Sequence, residues 1–117
     1  MSKENIIQNK SYNFALRIIK LNQMMVNHQN EYVLSKQILK SGTSVGANIE
    51  EAIGGQSRKD FRAKIFISYK EARETHYWLR LLRDSKLISK KLADSLLDDC
   101  EELKKILSSI LLTLNNS

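Results

Sequence analysis

Four stretches of this chain place apolar residues alternately three and four positions apart, and this repeat constrains the fold more than any other feature. Such spacing puts the apolar side chains on one stripe of an α-helix. The stretches cover about residues 5–28, 31–53, 58–85 and 89–114, with breaks of only a few residues between them. Short breaks between long helices make sequential neighbours antiparallel. The sequence therefore predicts an all-α fold, an antiparallel up-down-up-down four-helix bundle whose first and third helices lie diagonally.

Composition agrees with one folded domain over residues 1–117. Hydrophobic residues make up 42%, there is no proline, and four glycines are too few for a turn-rich β fold. A single cysteine, Cys100, cannot form an internal disulfide, which favours a reducing compartment. No apolar run approaches the roughly 20 residues of a membrane helix, and the first residues contain no apolar signal core. We therefore expect a cytoplasmic protein with no membrane contact.

The stripes and breaks predict particular core residues and helix ends. Gly54 and Gly55 are expected to stop the second helix in the left-handed conformation, and Ser57 and Ser89 are expected to cap the third and fourth helices. The residues expected inside the bundle are Phe14, Ile18, Leu34, Val45, Phe61, Ile65, Leu79, Leu96, Leu103 and Leu107.

The second helix contains an unusual run of small residues at 41–48. Gly42 and Gly46, four residues apart, share one helix face, and glycine in a helix interior costs roughly 1 kcal/mol relative to alanine. That cost is tolerable where a neighbouring helix approaches closely. A phosphate-binding loop is the alternative, but the spacing fits neither common glycine motif. We predict a close helix crossing there, with Asn48 on the buried stripe and its amide hydrogen-bonded.

The third helix has more than one occupied face. Its buried stripe accounts for only part of its apolar residues, and the surplus predicts a contact with another subunit. Four residues are assigned to this oligomer interface: Phe66, Ile67, Trp78 and Leu81. The alternative is that these side chains complete the core of a single bundle, because aromatic residues at helical spacing are usually core residues.

Positive charge is concentrated in two of the four segments. The net charge is +6, and residues 1–29 and 58–86 hold the excess. A basic face that interleaves arginines and aromatics is typical of nucleic-acid binding through phosphates. The predicted nucleic-acid-binding residues are Arg62, Arg73, Arg80, Arg83, Lys10, Arg17 and Lys20. For Arg80 and Arg83 the alternative is pairing with acids of the fourth helix, and for the basic face as a whole it is an ordinary lysine-rich helix surface.

Candidate catalytic and metal-binding groups do not assemble into a recognisable site. His28 and His76 lie on different helices, without the ligand spacing of a zinc or di-iron centre. Glu71 and Glu74 lie near many cations, so ion pairing is favoured over catalysis. Cys100 falls in the leucine stripe of the fourth helix and is expected to be a small core residue. The sequence predicts a protein that is not an enzyme and that needs no cofactor or metal.

Several motifs resemble one bacterial family. These are YVLSKQ at 32–37, SGTSVGANIEEA at 41–52, KEARET at 70–75 and YWLRLL at 77–82, with FALRI at 14–18 in the first helix. Together they resemble the four-helix-bundle proteins encoded in intervening sequences of 23S ribosomal RNA genes. The similarity spans nearly the whole chain, and the two long motifs are highly specific.

The resemblance implies a bundle, a ring-like homo-oligomer and nucleic-acid contact. The family is similar in fold to the accessory variability determinant of diversity-generating retroelements, a basic pentamer that binds nucleic acid and a reverse transcriptase. On this basis we expect a homo-oligomer, with a pentamer as the expected ring size. Two functions stay open: a basic oligomer that binds RNA or DNA through the phosphate backbone, and a protein-interaction scaffold that binds no nucleic acid.

Overall fold

The computed structural model describes residues 2–115, apart from the side chains at positions 3 and 4. This part of the chain forms four α-helices: α1 (Lys3–Gln29), α2 (Leu34–Ile53), α3 (Arg58–Asp84) and α4 (Lys90–Asn115). The predicted all-α fold is confirmed, and residues 2–115 contain no strand. Within the same range, no helix is both long enough and apolar enough to cross a membrane.

Each helix packs against the next along the chain, and α1 also packs against α4. Contacts between successive helices run in opposite directions. Along α1, Gln8 reaches Glu50 and Asn22 reaches the backbone of Ser35, so higher numbers on α1 meet lower numbers on α2. Among the described residues, α1 and α3 make no close contact. The bundle is therefore antiparallel, and the outer faces of α1 and α3 lie on opposite sides of it.

The four predicted stripes form the core. Eight of the ten predicted core residues are buried, and Leu34 and Phe61 are half-buried and pack against the same cluster. Both lie near the start of their helices, where fewer neighbours surround a side chain. Leu103 is only 1% exposed, at the centre of the α4 stripe.

Helix starts are fixed by side-chain caps. Ser57 Oγ accepts a hydrogen bond from the Asp60 N–H (3.0 Å), and Ser89 Oγ accepts one from the Leu92 N–H (3.1 Å), which confirms both predicted caps. The predicted start of α2 at Glu31 is wrong by three residues. The Glu31 carboxylate lies ahead of the helix and accepts from the Ser35 N–H at 2.8 Å, so it caps α2 from outside. Capping by an acidic side chain also suits the positive end of the helix dipole.

The helix ends differ from the prediction at Gly54. Its φ is −81°, and no described glycine has a positive φ, so the expected left-handed stop does not occur. The Gly55 N–H instead bonds to the Ala52 carbonyl at 3.1 Å. This 3₁₀-type turn, closed by a bond between residues three apart, ends α2 without a positive φ. The left-handed positions are Asn30 after α1 (φ 53°) and Lys86 after α3 (φ 64°).

The predicted close crossing lies between α1 and α2. A Cβ placed on Gly42 would lie 2.9 Å from two carbons of Ile18, which is closer than side-chain packing permits. A Cβ on Gly46 would lie 3.4 Å from Ser11 Oγ, near ordinary contact distance. Asn48 is only half-buried, contrary to its predicted burial, and its amide donates to the Ser44 carbonyl at 2.8 Å. Gly42 is thus the tighter point of the crossing.

Buried hydroxyl groups join α2 to α3 on the other side of the same segment. Ser68 Oγ donates to the Val45 carbonyl at 2.7 Å, and Thr75 Oγ1 lies 2.9 Å from Ser41 Oγ. No buried side-chain N or O atom among the described residues lacks a hydrogen-bond partner. Because the polar groups are satisfied, this small-residue interface carries no desolvation penalty for unpaired hydroxyls. The segment at 41–48 therefore packs two helices at once.

Candidate nucleic-acid interface

The solvent side of α3 carries a continuous basic and aromatic surface. It lies opposite the buried stripe that runs from Ile65 to Leu82. We define the outer face of α3 by six exposed residues: Lys59, Phe66, Lys70, Arg73, Tyr77 and Arg80. All six lie on neighbouring lines of the helix surface, because their separations are three, four or seven residues, or sums of these. One side of the helix is therefore cationic over most of its length.

The cations of this face lie over aromatic rings. Lys70 Nζ is 6.0 Å from the centre of the Phe66 ring, and the Arg80 guanidinium carbon is 5.7 Å from the centre of the Tyr77 ring. The Arg73 guanidinium carbon is 6.0 Å from the centre of the Tyr69 ring. Exposed cation–π contacts at this range contribute only about 0.5–1 kcal/mol each. They orient the cations without neutralising them.

Three of these cations form no close ion pair, although Lys70 and Arg80 lie near enough to Glu71 and Asp84, respectively, to act on the pKa of those carboxyl groups. Within residues 2–115, Lys70, Arg73 and Arg80 have no carboxylate oxygen within 4.0 Å. Asp84, at the end of the helix, is paired with Arg83 at 2.8 Å. The positive charge of the outer face of α3 is therefore available to an external anion.

The predicted cations of α1 are arranged differently. Lys10 Nζ lies 3.1 Å from Glu102, and Arg17 lies 2.6 Å from Asp99 and donates a second hydrogen bond to Ser95 Oγ at 3.0 Å. These contacts hold α1 against α4. Lys10 and Arg17 therefore pair with acids of the fourth helix, an arrangement that the sequence analysis considered only for Arg80 and Arg83.

Arg83 also faces α4 and is not part of the outer face of α3. Its guanidinium lies 2.8 Å from Asp84 and 3.7 Å from Asp94. The hydrogen bond from Arg83 lowers the pKa of Asp84 below its ordinary value. Two turns earlier on the same side of α3, His76 Nε2 lies 3.3 Å from Glu101. Burial and then Lys104 lower the pKa of His76, which favours the neutral form of its ring.

Arg62 and Lys20 complete the predicted set. Arg62 is exposed and donates from Nε to Asn115 Oδ1 at 2.9 Å, so it retains its full charge beside the outer face of α3. Lys20 is exposed on α1, which lies diagonally across the bundle from α3.

The structure thus brings Arg62, Arg73 and Arg80 together on one side and leaves Lys20 on another. Lys59 and Lys70 join the first group and were not among the predicted residues, although their spacing on α3 could have identified them.

Apolar residues predicted to contact another subunit are mostly exposed. Phe66 is 46% exposed, Ile67 is 39% and Leu81 is 36%. Trp78 is half-buried against the core, and its indole N–H donates to Glu74 at 3.2 Å.

The sequence-based prediction missed a second apolar surface on α1, formed by Tyr12, Leu16 and Ile19, which are 64%, 45% and 38% exposed. Their spacing of four and three residues places them on one stripe of α1. In the sequence, this stripe is less evident than the longer stripe of core residues on the same helix.

Two groups with potentially catalytic chemistry, Cys100 and Glu71, have pKa values raised by burial. Cys100 is fully buried, its thiol donates to the Ala72 carbonyl at 3.2 Å, and burial raises its pKa to about 12. Glu71 is half-buried, and burial followed by the charge of Glu74 raises its pKa. No group of three His, Cys, Asp or Glu residues within the described part of the chain could hold a metal ion. Glu71 has no cation within 4.0 Å of its carboxylate among residues 2–115, but Lys40 and Lys70 attract it at longer range and partly offset the rise in its pKa.

Comparison with known proteins identifies the family. The model of the 23S rRNA-intervening sequence protein family matches residues 3–109. The chain belongs to this family. The motifs in α2 and α3 predict the same family.

One solved structure shows how closely the fold is shared. It is a 1.70 Å crystal structure of a Bacteroides thetaiotaomicron protein of unknown function, described as a member of the S23 ribosomal protein family. That protein is 49% identical to this chain, and the two structures align with a TM-score of 0.92 over 94% of this chain and 98% of the other. No curated protein matches the chain. The comparisons establish the family and the fold, while the surface of the molecule bears on its function.

Proposed function

We propose that this 23S rRNA-intervening sequence protein is a non-enzymatic, basic homo-oligomer that binds nucleic acid through the phosphate backbone. The observation that supports the proposal is the contrast between two sets of cations. Lys10, Arg17 and Arg83 are paired with carboxylates, whereas Arg73 and Arg80 have none within 4.0 Å among the described residues. Unpaired cations aligned along one helix give a polyanion several simultaneous contacts.

The binding would depend on the charge of the phosphate backbone and not on the base sequence. The outer face of α3 is a convex helix surface whose polar groups are mostly flexible lysine and arginine side chains. Such side chains neutralise phosphates in many geometries, and phosphate contacts carry no base information. The association should therefore weaken steeply with salt. The logarithm of the binding constant should fall with the logarithm of the salt concentration, with a slope of roughly −0.7 to −0.9 for each neutralised phosphate.

Assembly of several subunits would multiply this weak contact. We propose that Ile67 and Leu81, with the half-buried Trp78 beside them, contact a neighbouring subunit, and that Phe66, also predicted at this interface, remains on the solvent-exposed outer face of α3. The pentameric ring size comes from the family resemblance alone. A ring would repeat the outer face of α3 in each subunit, and linked weak sites bind a long strand far more tightly than one site does. Sedimentation showing a monomer at tens of micromolar, by rough comparison with ordinary interface affinities, would contradict the oligomer.

The experiment compares two double variants that remove the same formal charge. Arg73→Ala/Arg80→Ala removes unpaired cations, and Lys10→Ala/Arg17→Ala removes paired ones. Fluorescence anisotropy with labelled RNA and DNA would be measured over a series of salt concentrations. We expect the first variant to lower affinity for all sequences alike and to reduce the salt slope by roughly 1 for each phosphate that is no longer neutralised. The second variant should keep both quantities close to those of the parent.

A protein-interaction scaffold is the second candidate function. The exposed stripe of Tyr12, Leu16 and Ile19 favours it, because it is apolar and lies across the bundle from the cations of α3. If the parent protein binds neither RNA nor DNA at low salt, the cations have no phosphate role and this second function takes precedence. Equal reductions in affinity in both double variants would instead indicate attraction by net charge, without a defined face.

A further inference from the structure

We infer that the outer face of α3 prefers single-stranded nucleic acid, because it offers aromatic rings on which unpaired bases can stack. This inference rests on the proposed nucleic-acid binding and adds the class of ligand. Two of the six residues of the face, Phe66 and Tyr77, are aromatic and are 46% and 48% exposed. Pure phosphate binding requires cations only, so exposed rings between them need a separate explanation.

The rings and the cations are interleaved along one line of approach. Phe66 and Tyr77 are eleven residues apart, which corresponds to roughly 16 Å along a helix axis. Phosphates of one stacked strand repeat at about 3.4 Å, so a strand of about five nucleotides spans both rings. Lys70 and Arg73 lie between the rings in sequence, and Arg80 follows Tyr77 by three residues. A strand that places bases on the rings therefore has cations beside its phosphates.

Phe66 and Tyr77 keep about half of their surface exposed although cations lie over both rings, and Trp78 lies edge-on to Tyr77 with the ring centres 5.3 Å apart. The distances of 6.0 Å for Lys70 over Phe66 and 5.7 Å for Arg80 over Tyr77 are near the outer limit of a cation–π contact. Exposed contacts of this kind are weaker than stacking of a base on an aromatic ring. A strand can therefore take both groups at once, with the base on the ring and the displaced cation on the adjacent phosphate.

Tyr69 shows why only two rings are assigned this role. It is half-buried and packs against the core, beside Lys104 and Ser108 of α4. Tyr69 is less exposed than Phe66 and Tyr77, and the Arg73 guanidinium carbon lies 6.0 Å from the centre of its ring. A duplex cannot use Phe66 or Tyr77 either, because its bases are already stacked and paired. The preference for a single strand thus depends on two exposed side chains.

The test measures binding of the full chain to four labelled probes of the same length, longer than the roughly 4–16 nucleotides that one module covers. The probes are single-stranded RNA, single-stranded DNA, the DNA duplex, and a DNA strand whose central tract is abasic. We expect the two single strands to bind about 5- to 100-fold more tightly than the abasic strand, which keeps the phosphates and lacks the bases. The Phe66→Leu/Tyr77→Leu variant should lose this difference and keep its salt slope.

Tyr32→Leu is the matched control, since Tyr32 is a 60% exposed aromatic in the loop between α1 and α2. It should leave all four affinities unchanged. Equal binding of abasic and base-bearing strands by the parent would overturn the stacking inference and leave phosphate binding intact. No binding of any probe at low salt would overturn the proposed function itself. The abasic comparison on the parent decides the inference even where the double variant alters assembly.

Discussion

Two glycines in one helix should respond in opposite directions to the same substitution. Gly42 and Gly46 lie four residues apart on α2 and both face α1. Replacing glycine by alanine inside a helix gains about 0.8–1.0 kcal/mol from backbone propensity alone. Any difference between Gly42→Ala and Gly46→Ala therefore reports the space available to one methyl group.

The structure gives that space. At Gly42 the added carbon would lie 2.9 Å from both Cγ1 and Cγ2 of Ile18, and overpacking of this kind costs about 1–3 kcal/mol. Since Ile18 is fully buried and cannot rotate away freely, the cost should exceed the propensity gain. Subtracting the propensity gain from the overpacking cost, we expect Gly42→Ala to destabilise the bundle by up to about 2 kcal/mol. At Gly46 the nearest atom is 3.4 Å away, so Gly46→Ala should be neutral or stabilising by up to about 1 kcal/mol.

Urea unfolding followed by circular dichroism, at one protein concentration, would measure both free energies. A second-site substitution identifies the atoms responsible. Ile18→Val keeps both Cγ carbons and should not relieve Gly42→Ala. Ile18→Ala removes both carbons, so its combination with Gly42→Ala should be less destabilising than the sum of the two. Gly42→Ala as stable as Gly46→Ala would refute the close crossing.

Two other predictions concern titratable groups. The Cys100 thiol, with its pKa raised to about 12 by burial, should not react with a thiol reagent at pH 8 until the protein unfolds; rapid reaction of the native protein would contradict its burial. Burial and Glu74 raise the pKa of Glu71. Between its ordinary and its raised pKa, the folded state therefore binds more protons than the unfolded state. The free energy of unfolding falls as pH rises through that range. Glu71→Gln should therefore raise stability at pH 7 and lose this advantage below about pH 4, as unfolding curves at both pH values would show.

The core could be predicted from the sequence because it depends on one periodicity repeated four times. Ile65, Leu79 and Leu103 are buried where the stripes place them. The end of α2 could not be predicted in the same way. Glycine permits a left-handed stop but does not require one, and the Gly55 N–H bonds to a carbonyl through a tighter turn. The start of α2 depends on the Glu31 carboxylate reaching three backbone N–H groups, which periodicity does not report.

The candidate interface was harder to predict than the core because a charge pattern along one helix says nothing about its partners. Arg80 and Arg83 lie on the same α3 flank in sequence, yet Arg83 lies 3.7 Å from Asp94 of α4 and Arg80 has no carboxylate oxygen within 4.0 Å among the described residues. The difference of three residues rotates the side chain from the outer face toward the neighbouring helix. Only the order of helices around the bundle decides which of the two is neutralised.

The position of α4 explains why the unpaired charge collects on one side. This helix touches both α1 and α3, and its acids therefore reach the cations of two helices. Asp99 and Glu102 pair with α1, while Asp94 and Glu101 face α3. No described carboxylate of α4 reaches the solvent side of α3, because a neighbour in a bundle contacts only the flank that faces it. The topology itself thus keeps the acids of α4 away from the cations of the outer face of α3, and the proposal of an external polyanion as their partner rests on this arrangement.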